Sequence, residues 1–411
     1  MADLRIVILS PWFGENMGYI ENRLPPALGS LGLDVHVVTS QLQPHFDRPI
    51  YEEAYEPFNG PAVQALGTTH RGEFTLHRLP YRFMADQVIL RGLRKKLREL
   101  QPSVVQTFAP VSAITAQAAA FRLPSRYLLY TGAHHTASTF PLTRRRTGDS
   151  SWRVLTRLKV FALGTVPGRI LGLVTEKCHA VTIDCLEVAV RYYGVPKNRI
   201  SLIPLGVDTK TFSPVADTQM AGLRDNYRAE LGFADADVVC IYTGRLGADK
   251  NPLVLAEAIE SLRNRGEPFR ALFVGGGEQA DAIRERDGSS IVPFVQLDDL
   301  PPYYRSADIG VWPREESTSM LDAAACGLPI VVSNAMHAVE RYEGNGMTYS
   351  EGDHLDLATV LLNLKDPKLR QQLGGAGAQK MREEFDWKIH AARRIADYQE
   401  ALANRSPVGK L

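Results

Sequence analysis

The sequence predicts an α/β chain built from two doubly wound parallel sheets. Short apolar runs that end in turn residues alternate with amphipathic stretches along most of the chain, the rhythm of βαβ units. That rhythm breaks at the turn-rich "PLGVDTKTFSP" (204–214), the expected hinge between halves of roughly 200 residues. The 411 residues are 45% hydrophobic and 23% charged, an ordinary globular composition with room for about two domains.

The first strand is Ile6 to Leu9, running into the loop "SPWFGENMG". A helix follows with Leu24, Leu28 and Leu31 on one face; Pro25 and Pro26 forbid an undisturbed helix, so it begins near them or kinks at them. "DVHVVTS" (34–40) is the second strand. The pattern repeats through "SVVQTF" (103–108), a helix near 112–121, "YLLYT" (127–131), "CHAVTI" (178–183), a helix to about Tyr193, and "RISLIP" (199–204). The second half supplies the strands "DVVCIYTG" (237–244), "RALFVGG" (270–276), "SIVPFV" (290–295), "DIGVWP" (308–313) and "LPIVVS" (328–333), with helices of about 10–16 residues between them. The last helix, about Trp387 to Ala403, has no strand after it. The expected division is an N-terminal domain over 1–205, a C-terminal domain over 206–385, and a terminal segment 386–411 that crosses back to the first domain.

A net charge of +1 selects neither nucleic acid nor membrane through a global field. Cys178, Cys185, Cys240 and Cys326 form no CxxC pair, which fits a reducing, cytoplasmic compartment better than a disulfide framework or a zinc site. "MADLRIVILSPW" is too soon interrupted for a signal peptide, and no apolar run reaches the ~18 residues a membrane span needs.

Three stretches carry candidate chemistry. "PWFGENMGY" (11–19) follows the first strand, and Gly14 and Gly18 would let a phosphate or sugar approach the backbone closely. In "YTGRLGADKNP" (242–252), Arg245 and Lys250 flank a loop leading into a helix, two cations beside free backbone N–H groups and so an anion site. In "PREESTSMLDAAACGLP" (313–329), Glu315 and Glu316 follow a strand, a helix starts near Ser319, and Asp322 lies in its first turn. Carboxylates bind hydroxyls and helix starts bind anions, so a ligand with both phosphate and vicinal hydroxyls would use both. "VGGGEQ" (274–279) reads as a tight turn. In "YTGAHHTAST" (130–139), His134 and His135 point in different directions, so one of them can face a ligand. No spacing fits a metal site.

Taken in this order, the motifs resemble a GT-B glycosyltransferase of the retaining glycosyltransferase family 4. The likeness is strongest from "GVDTKTFSP" through "YTGRLGADKNP" and "WPREESTSMLDAAACGLPIVVS" to "FDW", and looser in "MGYIENRL" and "GLDVHVVTS". It implies two Rossmann-like domains facing across a deep cleft, and transfer of a sugar from a nucleotide-sugar donor with retention. By motif, Arg245 and Lys250 would bind the diphosphate, and Glu316 would meet the sugar hydroxyls. Ser319 and Met320 would offer backbone N–H groups. Asp322 would hold the ribose, Phe294 and Val295 would contact the base, and His134 would approach the donor sugar. The resemblance assigns catalysis to His134, Glu316, Arg245 and Lys250, with no metal and no cofactor beyond the nucleotide-diphosphate sugar. The chain departs from the family in its acid spacing: eight residues before Asp322 stands Arg314, not an acid, and Asp replaces the usual Glu. Whether Glu315 or Glu316 faces the donor stays open.

The acceptor would be a glycan, a lipid-linked acceptor or a small molecule. "LRGLRKKLREL" (90–100) and "TRRRTGDSSWRVLTRLKVFAL" (143–163) are basic; in the second, Trp152, Leu155, Leu158 and Phe161 interleave with Arg153, Arg157 and Lys159. Two readings of 143–163 stand side by side: a face resting on the anionic inner surface of a membrane, or a core-packed helix with solvated cations. A nucleotide-sugar epimerase of the same architecture, or a non-catalytic nucleotide-sugar-binding subunit, are the alternative functions. Nucleic acid is not an expected partner.

Overall fold

A computed structural model describes residues 4–48, 51–137, 140, 142 and 150–405, with backbone alone for 53–54, 123–125 and 150–154. The chain forms two units: 1–205 together with 387–411, and 206–386.

Among the described residues the first unit carries ten strands: β1 (Arg5–Leu9), β2 (Asp34–Ser40), β3 (Gly67–Arg71), β4 (Phe74–Leu79), β5 (Tyr81–Met84), β6 (Gln87–Leu90), β7 (Val104–Gln106), β8 (Leu128–Ala133), β9 (Lys177–Ala180) and β10 (Ile200–Leu202). Eight of them form one sheet in the order β10-β9-β8-β7-β1-β2-β4-β3, parallel throughout except for the β3–β4 pair. β1 lies at its centre, and its side chains alternate between two apolar layers. Ile6 and Ile8 pack with Leu24, Leu28, Trp387 and Tyr398, while Val7 and Leu9 pack with Leu93, Leu97, Ile114 and Leu129. The basic stretch 90–100 thus contains a core-packed helix, Leu93–Leu100, that buries Leu93, Leu97 and Leu100.

The helix expected at the proline pair starts earlier, at Ile20, and runs to Gly29 with Pro25 and Pro26 inside it. An interior proline costs about 3 kcal/mol. Burial of Ile20, Leu24 and Leu28 against the sheet offsets that cost. Leu31 lies beyond the helix and is exposed, so it does not share the face of Leu24 and Leu28.

The C-terminal helix Trp387–Ala403 belongs to this unit, where a buried polar network ties it to the sheet. Asp397 accepts from Lys177 Nζ at 2.6 Å and from His179 Nε2 at 2.9 Å, and Arg394 donates to His179 Nδ1. An acceptor at Nδ1 and a proton on Nε2 describe a neutral ring. Burial first, then the Arg394 charge, lowers the His179 pKa to about 4. Tyr398 Oη adds a bond to Gln106 Oε1 at 3.0 Å, and Tyr130 Oη one to the Asp397 carbonyl at 2.8 Å.

The second unit has six strands: β11 (Val238–Thr243), β12 (Phe269–Val274), β13 (Ser289–Val292), β14 (Ile309–Trp312), β15 (Ile330–Ser333) and β16 (Gly346–Tyr349). They form an all-parallel sheet in the order β13-β12-β11-β14-β15-β16. Helices Leu253–Asn264 and His354–Asn363 reach the expected length, but Ala280–Arg284, Pro301–Ser306 and Ser319–Ala325 are shorter. β13 ends at Val292 because Pro293 has no N–H for the ladder.

The neutral, buried His179 sets a pH dependence. Its folded pKa lies below the unfolded value near 6.5, so its contribution is complete above about pH 6.5 and is lost as pH falls toward 4. We expect the urea midpoint of unfolding to drop between pH 7 and pH 5. The slope from His179 alone is at most about 1.4 kcal/mol per pH unit, and His179→Gln should flatten the curve. Because Glu21, raised to about 7, acts with the opposite sign in this range, the variant decides: an unchanged slope in His179→Gln contradicts this.

Candidate active site

Strand order in the second sheet reverses between β11 and β14, the place where open α/β sheets receive ligands beyond their carboxyl ends. The pairings Cys240–Ile309 and Ile241–Gly310 put the ends of these strands side by side. The loop after β11 carries Gly244, Arg245 and Lys250, and the loop after β14 carries Arg314 to Thr318.

Lys250 ties the two loops together. Its Nζ lies 3.0 Å from Glu315 Oε2 and donates to the Glu316 carbonyl at 3.1 Å. Glu315 is therefore the acid paired inside the protein, and the half-buried Glu316 carboxylate has no partner among the described residues. Arg245 is paired to Asp249 within its own loop and keeps further guanidinium donors. Arg314, where the resemblance leads one to expect an acid, donates to the Ala248 carbonyl at 3.1 Å. Arg341, buried, donates to the Ser317 carbonyl at 3.0 Å. These last two contacts and Asp249 were not legible in the sequence, because each depends on which loops the sheet brings together.

The helix Ser319–Ala325 is fixed at its start. Trp312 Nε1 donates to Ser319 Oγ at 3.1 Å, and Ser319 Oγ reaches the Thr243 carbonyl at 3.3 Å. The N–H groups of Ser319 and Met320, expected to stand free, each have an acceptor on Ser317: the hydroxyl and the carbonyl, both at 3.3 Å. At that length both bonds are weak. Asp322 is buried, and with desolvation as the larger cause it helps push the Tyr304 phenol well above its usual pKa; Tyr304 Oη lies 2.7 Å from Thr243 Oγ1.

The glycine run after β12 proves to be more than a turn. A Cβ on Gly275 would lie 1.9 Å from the Gly244 carbonyl oxygen, and one on Gly277 2.6 Å from that of Leu246. Both have φ near +150°, at 150° and 153°. Their absence of side chains lets the two loops join through Leu246 N–H to the Gly276 carbonyl at 2.9 Å and Gln279 N–H to the Leu246 carbonyl at 2.9 Å. Glu278 accepts from the Ala248 N–H at 2.9 Å. Phe294 and Val295, expected on a strand, lie in the loop beyond Val292.

The remaining candidates lie in the first unit, whose strand order reverses between β1 and β7. Gly14 turns the loop after β1, its carbonyl accepting from the Met17 N–H at 3.2 Å, and a Cβ there would meet Gln43 Oε1 at 2.8 Å. Gly18 directly precedes Tyr19, the N-cap of the first helix. His134 follows β8 and packs edge-on to Phe108 with ring centres 5.8 Å apart. Burial first, then Arg394, lowers its pKa to about 3, so the ring is neutral, and its Nε2 has no partner among the described residues. His135 faces elsewhere: its Nδ1 lies 2.6 Å from Tyr193 Oη and its ring stacks on that phenol. Glu21 was missed in the sequence. Burial pushes its carboxyl up to about 7, and Ser10 Oγ lies 3.5 Å away. Among the described residues no group of three or more His, Cys, Asp or Glu gathers as metal ligands, and no helix is long and apolar enough to cross a membrane.

Comparison with known proteins fits this geometry. Residues 23–211 match the model for Glycosyltransferase Family 4, and residues 237–366 match the model for glycosyl transferases group 1. A curated relative, D-inositol 3-phosphate glycosyltransferase of Xylanimonas cellulosilytica, is 31% identical over 277 residues, 61% of this chain and 66% of that protein. The chain spans 54% and 57% of two further relatives of that name, about half of their length. Among solved structures, sucrose-phosphate synthase from Thermosynechococcus elongatus superposes with a TM-score of 0.68 at 17% identity, over 98% of this chain and 100% of that one. Anabaena HepE in complex with UDP-glucose gives 0.67 at 14% identity, again over 98% and 100%. The chain belongs to the glycosyltransferases of group 1 and family 4, with the GT-B fold.

Proposed function

We propose that the protein is a retaining glycosyltransferase that moves a sugar from a nucleotide-sugar donor to a glycan, lipid-linked or small-molecule acceptor. One observation carries the reading: Lys250 joins the two loops at the β11–β14 reversal while leaving the Glu316 carboxylate unpartnered among the described residues. A cation pair for a diphosphate and an available acid for sugar hydroxyls then stand on neighbouring strand ends.

In this reading Arg245 and Lys250 hold the diphosphate, so that no metal is needed to stabilise its departure. Weak N–H bonds at Ser319 and Met320 yield to donor oxygens, Asp322 binds the ribose, and Phe294 and Val295 contact the base. The bond from the anomeric carbon to the phosphate oxygen breaks, and the acceptor oxygen bonds to that carbon from the same face. The acceptor proton passes to the departing phosphate. The names of the relatives favour a phosphorylated cyclitol or sugar as acceptor class, and UDP-glucose bound to a structural neighbour makes UDP-sugars the first donors to test.

Donor binding is measured by thermal unfolding. The cognate sugar nucleotide among UDP-, GDP- and ADP-sugars should stabilise the protein by about 2.7 kcal/mol at a hundredfold excess over its Kd, and the others much less. With that donor, Lys250→Gln should lower kcat/KM by about 10²- to 10³-fold, and NMR of the product should show the donor's anomeric configuration. Normal turnover in Lys250→Gln, or inversion at the anomeric carbon, rejects the mechanism. Donor binding with neither transfer nor hydrolysis favours the binding-subunit reading.

A further inference from the structure

The helical segment 150–173 of the first unit is built the opposite way round from an ordinary surface helix. It runs as a helix over Ser150–Val160, a π turn over Phe161–Thr165 and a helix over Val166–Gly172. Its inward face is made of glycine. Gly164 and Gly168 are buried, and a Cβ on Gly168 would lie 1.7 Å from the Tyr193 carbonyl oxygen and one on Gly164 3.3 Å from that of Tyr192. Thr165 Oγ1 donates to the Tyr192 carbonyl at 2.7 Å, and Arg199 donates to the Gly172 and Thr175 carbonyls at 2.7 Å and 2.9 Å. The helix is pinned by its smallest residues.

The large side chains face out instead. Leu155 is 70% exposed, Leu163 63%, Ile170 61% and Leu173 77%, with Leu158 and Phe161 also exposed. Exposed apolar residues scattered singly need no explanation, but a contiguous stripe marks an interaction surface. The charges beside it have one sign. Arg157, Lys159 and Arg169 are exposed and without ion-pair partners among the described residues, and 150–175 contains no Asp or Glu.

We infer that this stripe lies on an anionic lipid surface, its apolar side chains entering the headgroup boundary and its cations meeting the lipid phosphates. An apolar stripe flanked by unpaired cations is the charge pattern of interfacial helices. A protein partner with the same fit would need a matching acidic rim. The surface differs from the one expected at 143–163: residues 143–149 lie outside the described residues, Trp152 and Arg153 have no described side chains, and the exposed stripe continues ten residues beyond, to Leu173. This contact is independent of the proposed transfer reaction, and its test needs no substrate.

Co-sedimentation with vesicles of phosphatidylglycerol and phosphatidylcholine tests it, with phosphatidylcholine alone as the neutral surface. Wild-type protein should pellet with the anionic vesicles and be released by salt. Leu163→Ser, Ile170→Ser and Leu173→Ser combined should weaken binding at least tenfold with an unchanged thermal midpoint, and Arg157→Glu with Lys159→Glu about tenfold. The proposal is overturned if wild-type protein stays in the supernatant, if neutral vesicles bind as well as anionic ones, or if the serine variant binds as wild type does. A dimer seen by light scattering that the serine variant dissolves, without vesicle binding, would show that the stripe meets a second copy instead.

Discussion

Strand order in the second sheet is the constraint on which the candidate site rests. Because β14 lies beside β11, a loop at residue 245 meets a loop at residue 315 although seventy positions of chain separate them. No local propensity could bring Lys250 to Glu315; the parallel ladder does. Once the ladder is set, one ammonium group with three donors can hold a carboxylate and a carbonyl together. Arg314 and Arg341 then fix the second loop from two further directions. The glycines at 275 and 277 bring a third loop into the same body. The site is a consequence of sheet topology, with side chains acting as ties between segments that the backbone has already aligned.

Much of this fold was legible in the sequence because parallel strands buried on both faces read as unbroken apolar runs. β11, β14 and β15 are of that kind, and β12 is interrupted only by Arg270. β3, β5 and β16 are not: β3 is exposed throughout, β5 and β16 largely or partly so, and all three are mixed in polarity, so nothing in their periodicity separates them from loop. The helix around Pro25 shows tertiary packing overriding local preference, since the energy that keeps it helical comes from Leu24 and Leu28 in a core assembled from distant segments. The run "SIVPFV" reads as strand through Phe294 and Val295, but Pro293 ends the ladder through its missing N–H.

For the candidate site, residue types were readable and their partners were not. The sequence places two cations and two adjacent glutamates near strand ends, yet cannot say which glutamate is bound inside the protein. That choice was settled by where the Lys250 stem reaches. His134 and His135 pose the same problem: adjacent in sequence, the half-buried His134 has a buried nitrogen unpartnered among the described residues, and His135 stacks on Tyr193. The basic and apolar stretch up to residue 163 was visible as a composition, but its continuation to Leu173 was not, and that glycines line the inner face follows only from the proximity of the Tyr192–Tyr193 backbone.

The ion pairs at the strand ends have a further bearing on how a charged molecule would arrive. Arg245 is matched by Asp249 and Lys250 by Glu315, with Glu316 beside them, so positive and negative charges nearly cancel over a few ångströms. Such a cluster projects little field beyond the ~8 Å screening length of physiological salt. Anions are therefore not gathered from a distance by long-range steering. For the diphosphate donor proposed above, selectivity would be exercised at contact, where the diphosphate exchanges its hydration for guanidinium and ammonium groups that already have carboxylate neighbours. In that proposal, molecules with a single phosphate or a poorly placed one would have less to offer in the exchange, and the pairs would act as a threshold against the many small anions of a cell.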